Sequence, residues 1–134
     1  MNFQLCRRQV LGLGAGIAAA GVLAGCSEST EELERGTVLA DAADIAEGEA
    51  IPVLAGDTPM ILTHTPGGTF RAFSAICTHQ GCKVVPDAGQ PEILECPCHR
   101  SEFDTYTGAV LKGPAEEDLP EFPVSVREGK IVAD

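Results

Sequence analysis

The sequence is poor in positive charge. Its 134 residues include 9 Lys and Arg against 20 Asp and Glu, which gives a formal net charge of −11. A nucleic-acid partner requires a basic face, so this balance argues against one. At the same time 44% of the residues are hydrophobic, which is too many for a disordered acidic tail. The composition therefore indicates a small, acidic globular domain.

The sequence also lacks an uninterrupted apolar run of the roughly 20 residues that span a bilayer. Residues 10–25 contain only Val, Leu, Gly, Ala and Ile, and they follow Arg7 and Arg8. A positive region followed by an apolar region is the plan of an export signal. We therefore interpret residues 1–25 as such a signal, with an uncleaved membrane anchor as the alternative.

Two short patterns refine this interpretation. Residues 6–11 (CRRQVL) resemble a twin-arginine export signal, and residues 23–26 (LAGC) resemble a lipobox, in which Cys26 receives lipid and becomes the mature N-terminus. Ordinary cleavage beside Cys26 is the alternative. Residues 26–36 are polar and acidic, which is typical of a flexible tether. The folded domain is then expected over residues 37–134.

The domain is predicted to be all-β. All nine prolines lie within residues 37–134, which leaves little room for long helices. Short apolar or β-branched runs alternate with turn residues, as in an antiparallel barrel or sandwich. The predicted strands are residues 37–40, 50–54, 60–65, 69–75, 83–85, 92–95, 124–127 and 130–133. The last six form three hairpins, with turns at residues 66–68, 87–89 and 128–129.

Six residues that can bind metals stand in two groups, each on a loop after a predicted strand. They are Cys77, His79 and Cys82 in the first loop, and Cys96, Cys98 and His99 in the second. A structural zinc site usually separates the ligands of a pair by two to four residues, and the first pair is closer than that. A purely disulfide-bonded domain is a second possibility, but it gives the two histidines no role.

Residues 77–82 (CTHQGC) and 96–104 (CPCHRSEFD) resemble the two boxes of Rieske iron–sulfur proteins that contain a disulfide. The resemblance implies antiparallel sheets with two cluster-binding loops and one [2Fe–2S] cluster per subunit. Cys77 and Cys96 would ligate one iron, and His79 and His99 the other. It further implies a disulfide between Cys82 and Cys98, and hence an oxidising compartment outside the cytoplasm.

The resemblance also assigns roles around the cluster. Ser101 would donate its hydroxyl to a bridging sulfide, whereas Phe103 stands where high-potential relatives have a tyrosine. Residues 113–115 (GPA) resemble the proline loop that covers the cluster. Two further residues are predicted to have no role in the site: Tyr106 as a surface turn residue, and His64 as an exposed strand residue.

The predicted function is one-electron transfer between redox partners at the extracytoplasmic face of a prokaryotic membrane, with a lipid anchor. Only three histidines are present and two are used, so no mononuclear-iron site for bond chemistry can be assembled. The alternative is the Rieske subunit of a quinol-oxidising cytochrome bc complex or of a periplasmic oxidase. A Rieske ferredoxin of a ring-hydroxylating dioxygenase is disfavoured by the export signal and by Cys82 and Cys98, which that class lacks.

Overall fold

The computed structural model describes residues 33–134. The interpretations of residues 1–25 and of Cys26 therefore lie outside the described residues. Between residues 33 and 134 the regular structure consists of strands and one short 3₁₀ helix, Ala42–Asp44, with no α-helix. No helix in this part of the chain is long and apolar enough to cross a membrane.

The strands form three antiparallel sheets. They are β1 Val38–Asp41, β2 Ala50–Ala55, β3 Thr58–His64, β4 Phe70–Ser74, β5 Val85–Pro86, β6 Ile93–Glu95, β7 Glu102–Asp104, β8 Val110–Lys112, β9 Glu121–Phe122, β10 Val124–Arg127 and β11 Lys130–Ala133. Sheet A has the order β1-β11-β10, sheet B the order β2-β3-β4-β9, and sheet C the order β5-β6-β7-β8. The prediction of an all-β, antiparallel domain is confirmed.

The hairpin of β10 and β11 shows how local sequence specifies a turn. Arg127 pairs with Lys130, so only Glu128 and Gly129 connect the strands. Their φ angles are 51° and 77°, and two residues with positive φ form the type I′ turn that matches strand twist. Both strands and the turn agree with the prediction.

Other strands differ from the prediction. The second hairpin was expected to begin at residue 83, but β5 begins at Val85, and Lys83 forms an isolated bridge with Ile76. Strands β7, β8 and β9 were not predicted at all. Each has two or three residues, which is too short to display the alternation of apolar and polar side chains that identifies a strand.

Sheet B lies between two cores because the side chains of its inner strand β3 alternate between its faces. Met60 and Leu62 belong to a lower core with Ile131 of sheet A. Ile61 belongs to an upper core with Leu94 and Phe103 of sheet C. Cys77 and Cys96 are buried in this upper core, so the two loops are anchored by their cysteines.

The expectation that His64 is exposed is wrong. His64 ends β3 and lies directly opposite Phe70 of β4, so the two rings stack with their centroids 4.1 Å apart. Its Nδ1 lies 2.9 Å from the carbonyl oxygen of Ile45. The side chain is half-buried because it forms a cross-strand pair, which the linear sequence does not show.

Candidate metal centre

The first loop, residues 77–82, is closed by its own backbone. The amide of Cys77 donates to the carbonyl oxygen of Cys82 at 2.7 Å, and the amide of Gly81 donates to the carbonyl oxygen of Cys77 at 3.0 Å. Gly81 has a φ of 71°, a conformation that glycine adopts without steric cost. The loop therefore returns the chain to its starting point within six residues.

The second loop, residues 96–101, repeats this pattern. The amide of Cys96 donates to the carbonyl oxygen of Ser101 at 2.8 Å, and the amide of Arg100 donates to the carbonyl oxygen of Cys96 at 2.9 Å. Arg100 occupies the position in the second loop that Gly81 occupies in the first, and its φ is 64°. Its guanidinium forms an ion pair with Glu95 at 2.9 Å. Two loops with one backbone design thus face each other at the end of sheet C.

The loops bring the four predicted ligands together as two pairs of different character. Cys77 and Cys96 are free thiols, 3% and 1% exposed. His79 and His99 are exposed, with ring centroids 5.0 Å apart and planes at 89°. One thiol and one imidazole come from each loop. The buried end of the site therefore offers sulfur and its exposed end offers nitrogen.

The two buried thiols can act as thiolates only beside a cation. Burial raises the pKa of the Cys96 thiol, and contact with Cys77 raises it further, although the backbone amides of Cys98 and His99 act in the opposite direction. Two neighbouring thiolates in an apolar core would repel each other unless a cation lay between them. Two thiolates and two imidazoles are the donor set of a Rieske [2Fe–2S] cluster, so these residues could hold one.

A disulfide joins the two loops, as predicted. Cys82 and Cys98 are bonded, with their Cα atoms 6.4 Å apart. The bridge lies beside the site, because the sulfur of Cys96 is within 4.8 Å of both disulfide sulfurs. It ties the end of the first loop to the middle of the second.

Ser101 and Phe103 both point into the protein. Each has 0% exposure. The Oγ atom of Ser101 accepts a hydrogen bond from the amide of Ala115 at 3.0 Å. Phe103 packs in the upper core with Cys77 and Cys96. The role predicted for Ser101, a hydrogen bond to the cluster, stays a prediction.

Residues 113–118 run alongside both loops, and we call them the strap. The hydroxyl of Thr78 donates to the carbonyl oxygen of Glu117 at 2.7 Å. Pro114, Glu116 and Glu117 line a shallow depression of about 410 Å³ together with Thr78 and His79. Residues 113–115 of the strap were indicated by the resemblance to the proline loop. The contact of Thr78 was not predicted, because nothing in the spacing of Thr78 distinguishes it from other loop threonines.

Tyr106 lies in the turn between β7 and β8, as predicted. It is half-buried, and its hydroxyl donates to the carbonyl oxygen of Gly48 at 3.2 Å. This hydrogen bond directs the phenol toward the segment before β2. Tyr106 therefore does not replace the hydroxyl that Phe103 lacks.

Fold and site together define an iron–sulfur protein with two cluster-binding loops. The sequence model of the Rieske [2Fe-2S] domain family matches residues 36–123, and the chain belongs to this family. Its cofactor is a Rieske [2Fe–2S] cluster, and it is a Rieske electron-transfer protein.

Three comparisons describe its relatives. The chain is 42% identical over 69 residues to the cytochrome bc1 complex Rieske iron-sulfur subunit of Corynebacterium efficiens, covering 50% of this chain and 17% of that one. It is 38% identical over 76 residues to the cytochrome b6-f complex iron-sulfur subunit of Chlorobaculum tepidum, and this match covers 57% of this chain and 40% of that one. The matches thus span less than half of either relative. The crystal structure of the plasma membrane Rieske protein PetC3 from Synechocystis PCC 6803 superposes with a TM-score of 0.59 at 28% identity, covering 75% of this chain and 98% of that one.

Proposed function

We propose that Cys77 and Cys96 hold one iron of the cluster and His79 and His99 the other. In this role the protein carries one electron at a time between redox partners outside the cytoplasm. The observation that supports the proposal is the pairing of two buried thiols with two exposed imidazoles on matching loops of sheet C.

The two ends of the site have different tasks. The buried thiols lie in the upper core, where packed side chains exclude water. The exposed imidazoles let a partner's surface approach the site, and a ring nitrogen that binds no metal is free to hold a proton. When bound, the cluster takes up and releases one electron at a potential that imidazole ligands raise relative to four thiolates.

Metal analysis and spectroscopy of the purified chain test the ligand assignment. We expect two irons and two acid-labile sulfides per chain, and a rhombic paramagnetic resonance with a mean g value below that of all-cysteine clusters. His79→Ala and His99→Ala should lose this signal, whereas His64→Gln, which changes the third histidine, should keep it. Zinc or a four-iron cluster in the wild-type protein would contradict the assignment.

We also propose that residues 1–25 direct export by the twin-arginine route and that Cys26 anchors the protein by lipid. Residues 26–36 then form the tether and residues 37–134 the Rieske domain, at the extracytoplasmic face of a prokaryotic membrane. The Cys82–Cys98 disulfide supports export, because such bonds persist in oxidising compartments. Leu33 packs against the lower core, so the last part of the tether contacts the domain.

Replacement of Cys26 tests the anchor. Cys26→Ala should release the protein from membranes with its cluster intact, and Cys6→Ala, inside the proposed signal, should not. If Cys26→Ala protein stays in the membrane pellet after a high-salt wash, residues 10–25 are an uncleaved anchor instead.

A second candidate is a subunit of a quinol-oxidising complex, which the bc1 and b6-f relatives favour. The two candidates differ in what accompanies the protein. Purification of the tagged chain from mildly solubilised native membranes should recover it without b-type cytochrome if it is a separate carrier. Stoichiometric b-type cytochrome in the same fraction would establish the complex subunit.

A further inference from the structure

The strap is joined to each cluster loop by one hydrogen bond. The amide of Ala115 donates to Oγ of Ser101 in the second loop at 3.0 Å, and the hydroxyl of Thr78 in the first loop donates to the carbonyl oxygen of Glu117 at 2.7 Å. Ala115 is buried in the upper core with the ligand cysteines. The strap therefore connects the two loops through these contacts.

The far end of the strap is held independently of the loops. Oδ1 of Asp118 accepts a hydrogen bond from the amide of Val110 at 2.9 Å, and the amide of Leu119 donates to the carbonyl oxygen of Gly108 at 2.9 Å. These contacts fix the strap to sheet C and its turn. The near end follows β8, whose Lys112 pairs with Glu102 of β7. Between these two anchors, Ala115 is held by its bond to Ser101 and Glu117 by its bond to Thr78.

The Ala115 hydrogen bond determines how the Ser101 hydroxyl is used. A hydroxyl carries one proton and can accept through its lone pairs. Because Oγ of Ser101 accepts the Ala115 amide, its own proton points away from the strap. Among residues 33–134 no acceptor is found for that proton, and the side chain is completely buried. A buried hydroxyl without an acceptor is costly, so the proton needs one on the side facing the site.

We propose that Thr78 is a positioning residue for Ser101. By holding Glu117, Thr78 keeps the strap where the Ala115 amide orients the Ser101 hydroxyl toward the cluster. A residue of the first loop thus controls a hydrogen-bond donor of the second loop. The inference rests on the proposed function, in which the cluster is bound at these loops.

Two variants of Thr78 separate the effect of its hydroxyl from the effect of its shape. Thr78→Val keeps the shape and removes the donor, whereas Thr78→Ser keeps the donor. Freed from Thr78, the strap would orient Ser101 less well, and the reduced cluster would lose part of a stabilising hydrogen bond. We expect Thr78→Val to lower the equilibrium constant for reduction about threefold, or about 28 mV for one electron. Thr78→Ser should match the wild type.

A double-mutant cycle shows whether Thr78 acts through Ser101. In the Ser101→Ala background, Thr78→Val should cause no further change in potential, because there is no hydroxyl left to orient. Thr37→Val is the matched control. The hydroxyl of Thr37 also donates to a carbonyl oxygen, that of Glu34, but this bond lies in the segment before sheet A. Thr37→Val should leave the potential unchanged.

Hydrogen exchange gives a second readout. Mass spectrometry of the peptide that contains residues 113–118 should show faster deuterium uptake in Thr78→Val and wild-type uptake in Thr78→Ser. If Thr78→Val does not retain its cluster on purification, Thr78→Ala is measured with the same expectations.

The inference is overturned if removal of the hydroxyl leaves the potential unchanged, or if its effect is equally large without Ser101. Both results would be obtained on samples that show the Rieske resonance. They are thus distinct from failure of the proposed function, which would appear as the absence of that resonance in the wild-type protein.

Discussion

A Cβ atom on Gly108 would lie 2.7 Å from Cδ1 of Phe73, so the turn after β7 approaches this ring only because residue 108 has no side chain. Gly108 also has a φ of 72°, in the left-handed region. Phe73 belongs to sheet B and is completely buried in the upper core. The turn that joins two strands of sheet C therefore packs directly against sheet B at this contact.

Gly108→Ala should therefore be strongly destabilising. Overpacking typically costs about 1–3 kcal/mol, and a non-glycine residue with positive φ costs roughly 1 kcal/mol more. We expect a loss of about 2–4 kcal/mol in the free energy of unfolding, measured by urea denaturation. Gly129→Ala is the control, because Gly129 has a φ of 77° but no atom near its Cβ position. If the two variants lose equal stability, the contact with Phe73 contributes nothing.

Ser101→Ala should lower the reduction potential. A hydroxyl that donates to a cluster sulfur would stabilise the reduced state, whose sulfurs carry more negative charge. A hydrogen bond to a charged acceptor is worth roughly 1.5–3 kcal/mol, which sets an upper limit of about 65–130 mV. The observed shift should be smaller, because the oxidised sulfurs also accept the bond. Equilibrium redox titration of the wild type and the variant at one fixed pH measures it, and an unchanged potential would mean that the hydroxyl does not point at the cluster.

Phe103→Tyr should raise the potential, because it restores the hydroxyl that high-potential relatives have at this position. Phe103 is fully buried in the upper core with Cys77 and Cys96, so the new hydroxyl must find an acceptor there or weaken the fold. Titration of the variant together with its unfolding midpoint distinguishes the two results. A lower stability at an unchanged potential would show that no sulfur accepts the bond.

The ion pair of Arg71 and Glu121 should make stability depend on pH. Two hydrogen bonds of 2.8 and 2.7 Å join them, and the bonds from Arg71 lower the pKa of the Glu121 carboxyl. A lowered pKa in the folded state stabilises the protein above the ordinary value of about 4.3, and this contribution is lost as the pH falls through the folded value.

Glu121→Gln should thus cost stability at pH 7 and little at pH 3. Because both side chains are partly exposed, we expect a loss of only about 0.5–1 kcal/mol at pH 7. Thermal unfolding at the two pH values measures it, with Glu128→Gln in the exposed β10–β11 turn as the control. An equal loss at both pH values would show that the carboxylate charge is not responsible.

Local sequence was enough to predict the parts of this protein that depend on neighbouring residues. The turn at Glu128 and Gly129 needs only two residues that tolerate positive φ, and it was predicted with both of its strands. The two loops were located because their metal-binding residue types stand close together in the chain. The all-β class followed from the distribution of proline and of short apolar runs.

Contacts between distant residues were predicted less well. Strand β7 is a strand because Phe103 pairs with Leu94 and Val110, and its sequence of one apolar residue between two acids does not show this. His64 is covered by its partner Phe70, whose position depends on the register of two strands. The disulfide was expected only by resemblance, since four cysteines can pair in three ways.

The sequence by itself thus determined which residue types stand in the two loops, and with them the family and its cofactor. Tertiary structure decided how those residues are used: which thiols are buried, which imidazoles reach the surface, and which backbone amide binds Ser101. The physical reason is that burial and hydrogen bonding are properties of surfaces brought together by folding. Thr78 and Glu117 are 39 positions apart in the chain, and only the packing of the strap against the first loop brings them within 2.7 Å.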